Sequence, residues 1–207
     1  MNAVDVERTL NGEWQALVEN AHADPGLAPA IVEGRGSRTT RPMLWSELQD
    51  VRLAFAELQA ALDEESKAEV LATSAWTVRD VVVHLASWAS EFTRQIETAA
   101  ARQPFDYVIT FTPRVGPTDW NARELERRRA MSLADAFGEL DAGTERIQAL
   151  ALSLPDEVLF SVAELPQTPD GRLENRWRVP LANLMIMKCW HDHYHLARLR
   201  EVLDLPQ

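Results

Sequence analysis

Three of the five histidines in this 207-residue chain stand at 191, 193 and 195, inside Cys189-Trp-His-Asp-His-Tyr-His-Leu-Ala-Arg-Leu-Arg200. The segment reads as helix. At 100° per residue, His191 and His195 share one face a turn apart, and His193 points nearly the other way. Two imidazoles placed like this are what a divalent metal takes from a single helix. The rise between them is about 6 Å, and both rings can converge on an ion at about 2.0–2.1 Å from each nitrogen. A third ligand is needed, and His84 is the candidate. An isolated H-x-x-x-H is also what two hydrogen-bonded core histidines look like, and so short a motif often matches by chance. The face shared by 191 and 195 carries Leu184, Met187, Tyr194 and Val202 and is therefore read as the buried face. Cys189 falls off it and is read as a packed thiol, neither nucleophile nor ligand. His193 is expected at the surface or at a subunit contact.

Proline marks where helices can run to position these residues. No proline falls between Met43 and Gln103, between Thr118 and Leu154, or between Leu181 and Leu205, and these intervals hold four helical patterns. The first, about Leu44 to Glu65, repeats Leu44, Leu48, Val51, Phe55, Leu58 and Leu62 at spacings of four and three, a single core-facing stripe. The second opens at Trp76-Thr-Val-Arg-Asp80, with Thr77 as N-cap, Asp80 at N3 and Trp76 placed to pack on Val81. Its stripe runs on through Leu85, Trp88, Phe92 and Ile96, with His84 at the flank. The third begins near Asn121 and restarts at Ser132, followed by Leu133, Phe137, Leu140, Ile147 and Ala151. The fourth starts near Pro180, a permitted first-turn position, and carries the histidines.

Between these lie two long connections. Residues 103–120 read as a crossing loop whose Phe105, Tyr107 and Phe111 mark it as a candidate lid. Residues 155–180 carry Pro169-Asp-Gly171, a turn signal that permits a small hairpin. Residues 1–22 read as a short helix and 23–41 as a loop. An all-α four-helix bundle over residues 39–207, with a 1–38 extension, follows from this pattern.

Composition narrows the function. The net charge of −11 and the lack of a clustered basic face argue against a nucleic-acid partner. Arg127-Arg-Arg129 follows Glu124 and Glu126 and reads as a solvated helix face. A single cysteine excludes an intrachain disulfide and fits a reducing compartment. Neither a signal peptide nor an apolar run long enough to span a membrane is visible, so a cytoplasmic protein is expected.

With the second and fourth helices in hand, the chain resembles the DinB/YfiT-like superfamily. Trp76-Thr-Val-Arg-Asp-Val-Val-Val-His-Leu-Ala-Ser-Trp88 is similar to the family's W-[ST]-[VI]-[KR]-[DE]-x-x-x-H-[LI]-x-x-W. His191-Asp-His-Tyr-His195, followed by Leu-Ala-Arg-Leu, is similar to its H-x-x-x-H ahead of an R-G-Q-I-like tail. Thr39-Thr-Arg-Pro-Met resembles its start, so the likeness spans roughly residues 39–203. The resemblance implies a four-helix bundle whose metal is held by His84, His191 and His195. Members include thiol-dependent S-transferases and mycothiol-dependent maleylpyruvate isomerases. Leu196-Ala-Arg198 departs from the common Arg-Gly-Gln, which bears on substrate contacts more than on the histidines.

The expectation is therefore a metal-dependent transferase using zinc or nickel and a low-molecular-weight thiol against a small electrophile. Trp88, Tyr194 and Met187 would shape the apolar wall. Arg198 would pair with a carboxylate of the thiol or substrate, and Glu91 would orient an imidazole. A metal-dependent hydrolase and a non-catalytic stress or ligand-binding protein are the alternatives. The extension and an outward Trp190 suggest a homodimer.

Overall fold

The proline-free intervals hold long helices, joined by short elements. In the computed structural model, which describes residues 39–62, 65–73, 75–101, 117–160, 162–164 and 178–206, the order is α1 (Arg41–Ala61), α2 (Glu65–Ala68), α3 (Val78–Ala100), α4 (Pro117–Arg127), α5 (Leu133–Ser153), α6 (Asp156–Leu159), β1 (Val162–Glu164), β2 (Arg178–Pro180) and α7 (Leu181–Val202). The helix expected over 1–22, the loop aromatics Phe105, Tyr107 and Phe111, and the turn at 169–171 lie outside the described residues.

The long helices α1, α3, α5 and α7 form a four-helix bundle. Helix α3 packs along α5, α5 against α1, α1 against α7, and α7 against α3. The consecutive long helices α1 and α3 therefore stand on one diagonal of the square, and α5 and α7 on the other. This places the second and fourth expected helices side by side. The β1–β2 pair is antiparallel, with Val162 opposite Pro180, and leads directly into α7. Pro180 thus ends a strand, and the helix starts one residue later than expected. Among the described residues, no helix is long and apolar enough to cross a membrane.

Local signals explain the boundaries. Helix α1 begins three residues before the expected Leu44 because Thr40 caps it, accepting from the Met43 amide at 3.4 Å. Pro42 occupies the first turn, where its missing N–H has no partner to lose. The helix stops at Ala61, whose carbonyl accepts from Lys67 Nζ at 3.0 Å. Its expected stripe is buried throughout, Leu44, Leu48, Val51, Phe55, Leu58 and Leu62 each lying at 5% exposure or less. Burying each such side chain stabilises the fold by roughly 1.5–3 kcal/mol. The third expected helix is two helices, because Ser132 starts α5 with its own cap, accepting from the Asp135 amide at 3.0 Å. Gly143 lets α5 approach α3 closely: a Cβ there would stand 3.0 Å from that of Ala89.

Helix α7 corrects the sequence reading. Its fully buried stripe is Leu181, Met185, Lys188, Cys189, Asp192, Leu196 and Leu199, centred roughly 80° around the helix from the His191/His195 face. Leu184 is buried as expected, but Tyr194 is 42% exposed and Val202 only half-buried. The histidines occupy the flank turned towards α3, because two charged residues take the centre of the packed face. Trp190 is half-buried and packs against the edge of the core, which removes one of the two grounds for expecting a dimer.

Candidate metal centre

The site begins with the cap of α3. Thr77 Oγ1 accepts from the Asp80 amide at 3.2 Å, and the Thr77 amide donates to Asp80 Oδ2 at 2.9 Å, a reciprocal capping box. Backbone pairing of the preceding turn steadies it, with the Val78 amide donating to the Val70 carbonyl at 2.8 Å. The start of α3 is therefore fixed, and His84 is delivered two turns on, 4% exposed, facing α7.

Across the gap, His191 and His195 project from consecutive turns of α7. His84 Nε2 lies 3.1 Å from His191 Nε2. The ring centres are 4.9 Å apart for His84 and His195, and 4.7 Å for His191 and His195. One nitrogen from each ring falls within 4.8 Å of the others, a group that can hold a metal ion.

Aromatic rings enclose the triad. Trp76 stands 4.9 Å from His84, Trp88 5.4 Å from His191 and Tyr194 5.1 Å from His195, between ring centres. Trp88 is held in turn by its Nε1–H, which donates to Asn121 Oδ1 of α4 at 3.1 Å, and by Trp120 at 5.0 Å. Trp76 was expected only to staple the start of α3; its ring also forms part of the wall. The side chain of Met187 lies outside the described ones.

Two expected contacts are made elsewhere. Glu91 pairs with Arg94 and accepts from Gln95, at 2.6 and 2.7 Å, so its carboxylate serves its own helix and not an imidazole. Arg198 donates to the Ala72 carbonyl at 3.2 Å and pairs with Glu201 at 2.5 Å, bracing the turn before α3. His193 faces away from the triad, its Nε2 3.3 Å from Glu47 of α1.

The carboxylate beside the triad is Asp192. Its Oδ1 lies 3.3 Å from His191 Nδ1, and its Oδ2 lies against Lys188 Nζ in an ion pair rather than an aligned hydrogen bond. Both side chains are 0% exposed. Burial would raise the Asp192 pKa, but Lys188 and His191 outweigh it and hold the carboxyl below its usual range. The sequence reading missed this pair because a hydropathy stripe places charge outside. The signal was there in Lys188 and Asp192, a turn apart and in line with Leu181, Met185 and Leu199.

The donor set fits a divalent ion. Two nitrogens bound at about 2.0–2.1 Å with tetrahedral angles stand roughly 3.3 Å apart, close to the 3.1 Å between His84 and His191. A metal also needs neutral imidazoles. Burial, then His195 and His191, hold the His84 pKa well below the usual value, and burial, then His191, lowers that of His195 to about 3 against the opposite pull of Asp192. Cys189 is buried, its thiol pushed up mainly by burial, and it takes no part.

The family model described as mycothiol maleylpyruvate isomerase N-terminal domain matches residues 48–185. The chain belongs to that family. The match takes in His84 and ends before His191 and His195. Among solved structures, the chain is similar to YfiT from Bacillus subtilis, described as "a probable metal-dependent hydrolase with an unusual four-helix bundle topology", with a TM-score of 0.59 at 20% identity over 79% of this chain and 87% of that one. No curated protein matches the sequence. With the family match, the four-helix bundle shared with YfiT places the chain in the DinB/YfiT-like superfamily.

Proposed function

We propose that this protein is a metal-dependent enzyme that transfers a low-molecular-weight thiol to a small electrophile. The observation carrying the proposal is the convergence of three imidazoles, with no carboxylate in the group among the described residues, inside an aromatic wall. Bound there, a divalent ion such as zinc or nickel supplies Lewis acidity with its full positive charge, enough to hold a thiol as thiolate at neutral pH.

The chain's own residues do the rest. His84, kept neutral by burial and by its histidine neighbours, presents its ring from the fixed start of α3. His191 and His195 meet it from α7. Trp76 and Trp88 restrict water around the nucleophile, which strengthens every charge interaction inside. Membership of a family described by a mycothiol-dependent isomerase supports the thiol, because mycothiol is itself of the proposed class.

Hydrolysis is the second reading, favoured by the likeness of fold to YfiT. Metal content and turnover separate the two. The untagged wild type is expected to hold about one equivalent, lost in His84→Ala and His191→Ala, and to consume an electrophile only when a thiol is added. Turnover with water alone would select hydrolysis. Failure to retain zinc or nickel would remove both.

A further inference from the structure

We infer that the buried Lys188–Asp192 pair sets the tautomer of His191: Asp192 accepts the proton on Nδ1, leaving Nε2 as a bare lone pair facing His84. The inference deepens the metal-centre reading and rests on it for its functional consequence, though not for its geometry.

The first support is the lone-pair balance around His191. Its Nδ1 stands 3.3 Å from Asp192 Oδ1. A carboxylate is only an acceptor. If the His191 proton sat on Nε2, two lone pairs would face each other at this contact. Placing it on Nδ1 turns the repulsion into a charge-assisted hydrogen bond.

The second is how Asp192 is held. A fully buried carboxylate stays in place only if it is paired. Lys188 pairs it from one turn away and is itself tied to a different helix, donating to Thr144 Oγ1 at 2.6 Å. The Thr144 hydroxyl donates onward to the Leu140 carbonyl at 2.9 Å. The Phe55 ring of α1 lies 5.8 Å from Lys188 Nζ. A polar run thus crosses the core from α5 to the triad, with hydrogen bonds from Lys188 to Thr144 to Leu140 and an ion pair joining Lys188 to Asp192.

The third is His84. In the metal-free protein, with His191 Nε2 bare, the proton in the 3.1 Å contact between the two Nε2 atoms comes from His84, leaving His84 Nδ1 bare; an ion held at His84 Nε2 would displace that proton. That atom is buried and has no partner among the described residues. An orphaned acceptor is tolerated better than an orphaned N–H. The opposite arrangement would bury an unpaired donor.

Asp192 is therefore a positioning residue: it touches a ligand, and its partner Lys188 fixes the angle of that touch. Supports of this kind are worth about 10–100-fold in metal affinity. The test is nitrogen-15 NMR of histidine-labelled, chelator-treated protein, together with zinc titration against a competing chelator. His191 is expected with a protonated Nδ1 and bare Nε2, and His84 with the reverse. The double variant K188M/D192L removes both charges together and so spares the fold an unpaired buried ion. It is expected to lose the His191 preference and to bind zinc about 10–100-fold more weakly. Asp192→Asn, which keeps the shape, is expected to weaken zinc in the same direction.

A wild-type His191 protonated on Nε2 would overturn the inference, as would zinc binding by folded K188M/D192L at wild-type strength. Failure of the wild type to bind zinc would instead remove the metal reading, while the tautomers would still decide the role of Asp192.

Discussion

His84 Nε2 stands 3.1 Å from His191 Nε2, although 107 residues separate them in the chain. Contact between α3 and α7 brings them together, and those helices are neighbours only because α1 and α3 take the diagonal. An ion bound at this junction ties two sides of the bundle. At about one hundred times its Kd, zinc should stabilise the wild type by about 2.7 kcal/mol. Calorimetry should show Tm rising by several degrees with zinc, and by much less in His84→Ala. An equal rise in both would place zinc elsewhere.

Stability of the metal-free protein should depend on pH in a set direction. Burial, then the neighbouring imidazoles, hold His84 well below its ordinary 6.5; burial, then His191, hold His195 at about 3. The unfolded chain takes up these protons near pH 6.5, and the folded chain does not. From about 6.5 down towards 3 the unfolded state thus binds more protons, so stability falls as pH falls. Urea midpoints of chelated protein should drop between pH 7.5 and 5, and a His195→Gln variant should drop less. A flat wild-type profile would contradict the burial of these rings.

The parts legible in the sequence share one property: each is set by neighbours within a turn or two. Thr77 and Asp80 announce their cap, and the α1 stripe from Leu44 to Leu62 announces its core face. The ligand spacing of His191 and His195 is of the same kind. The buried face of α7 is not. Lys188 and Asp192 are charged, and beyond their own pairing Thr144 of α5 and Phe55 of α1 help make their burial tolerable. Those partners come from other helices, so local pattern assigns the face wrongly by most of a quarter turn. Glu91 fails for the mirror-image reason, because Arg94 and Gln95, three and four residues on, compete for it.

The two glycines of α5 should respond to alanine with opposite signs. A Cβ at Gly138 would meet nothing within 4 Å, so Gly138→Ala should gain the helix preference of alanine, about 1 kcal/mol. At Gly143 the same atom would sit 3.0 Å from Ala89 Cβ and 3.3 Å from that residue's backbone. Backbone in a packed helix cannot swing aside as a flexible side chain can. Overpacking of this kind costs about 1–3 kcal/mol, which exceeds the propensity gain. Urea midpoints should therefore rise for Gly138→Ala and fall for Gly143→Ala. A rise in both would mean that α3 and α5 can separate without loss.

Lys188 and Asp192 should behave as a unit. Removing one partner of a fully buried pair leaves an uncompensated charge, at a cost of about 3–5 kcal/mol, whereas replacing both with apolar side chains is often neutral or stabilising. Lys188→Met strands Asp192 among Met185, Leu196 and Leu199, the stripe they share. Asp192→Leu strands Lys188 against the Phe55 ring, with Thr144 the acceptor left to it among the described residues. Each single variant should thus lose several kcal/mol in urea unfolding, and the double variant should recover most of it. Simple additivity in the double variant would mean that the two charges do not see each other. The core of α7 would then be held by its apolar residues alone, with the ion pair incidental to the fold.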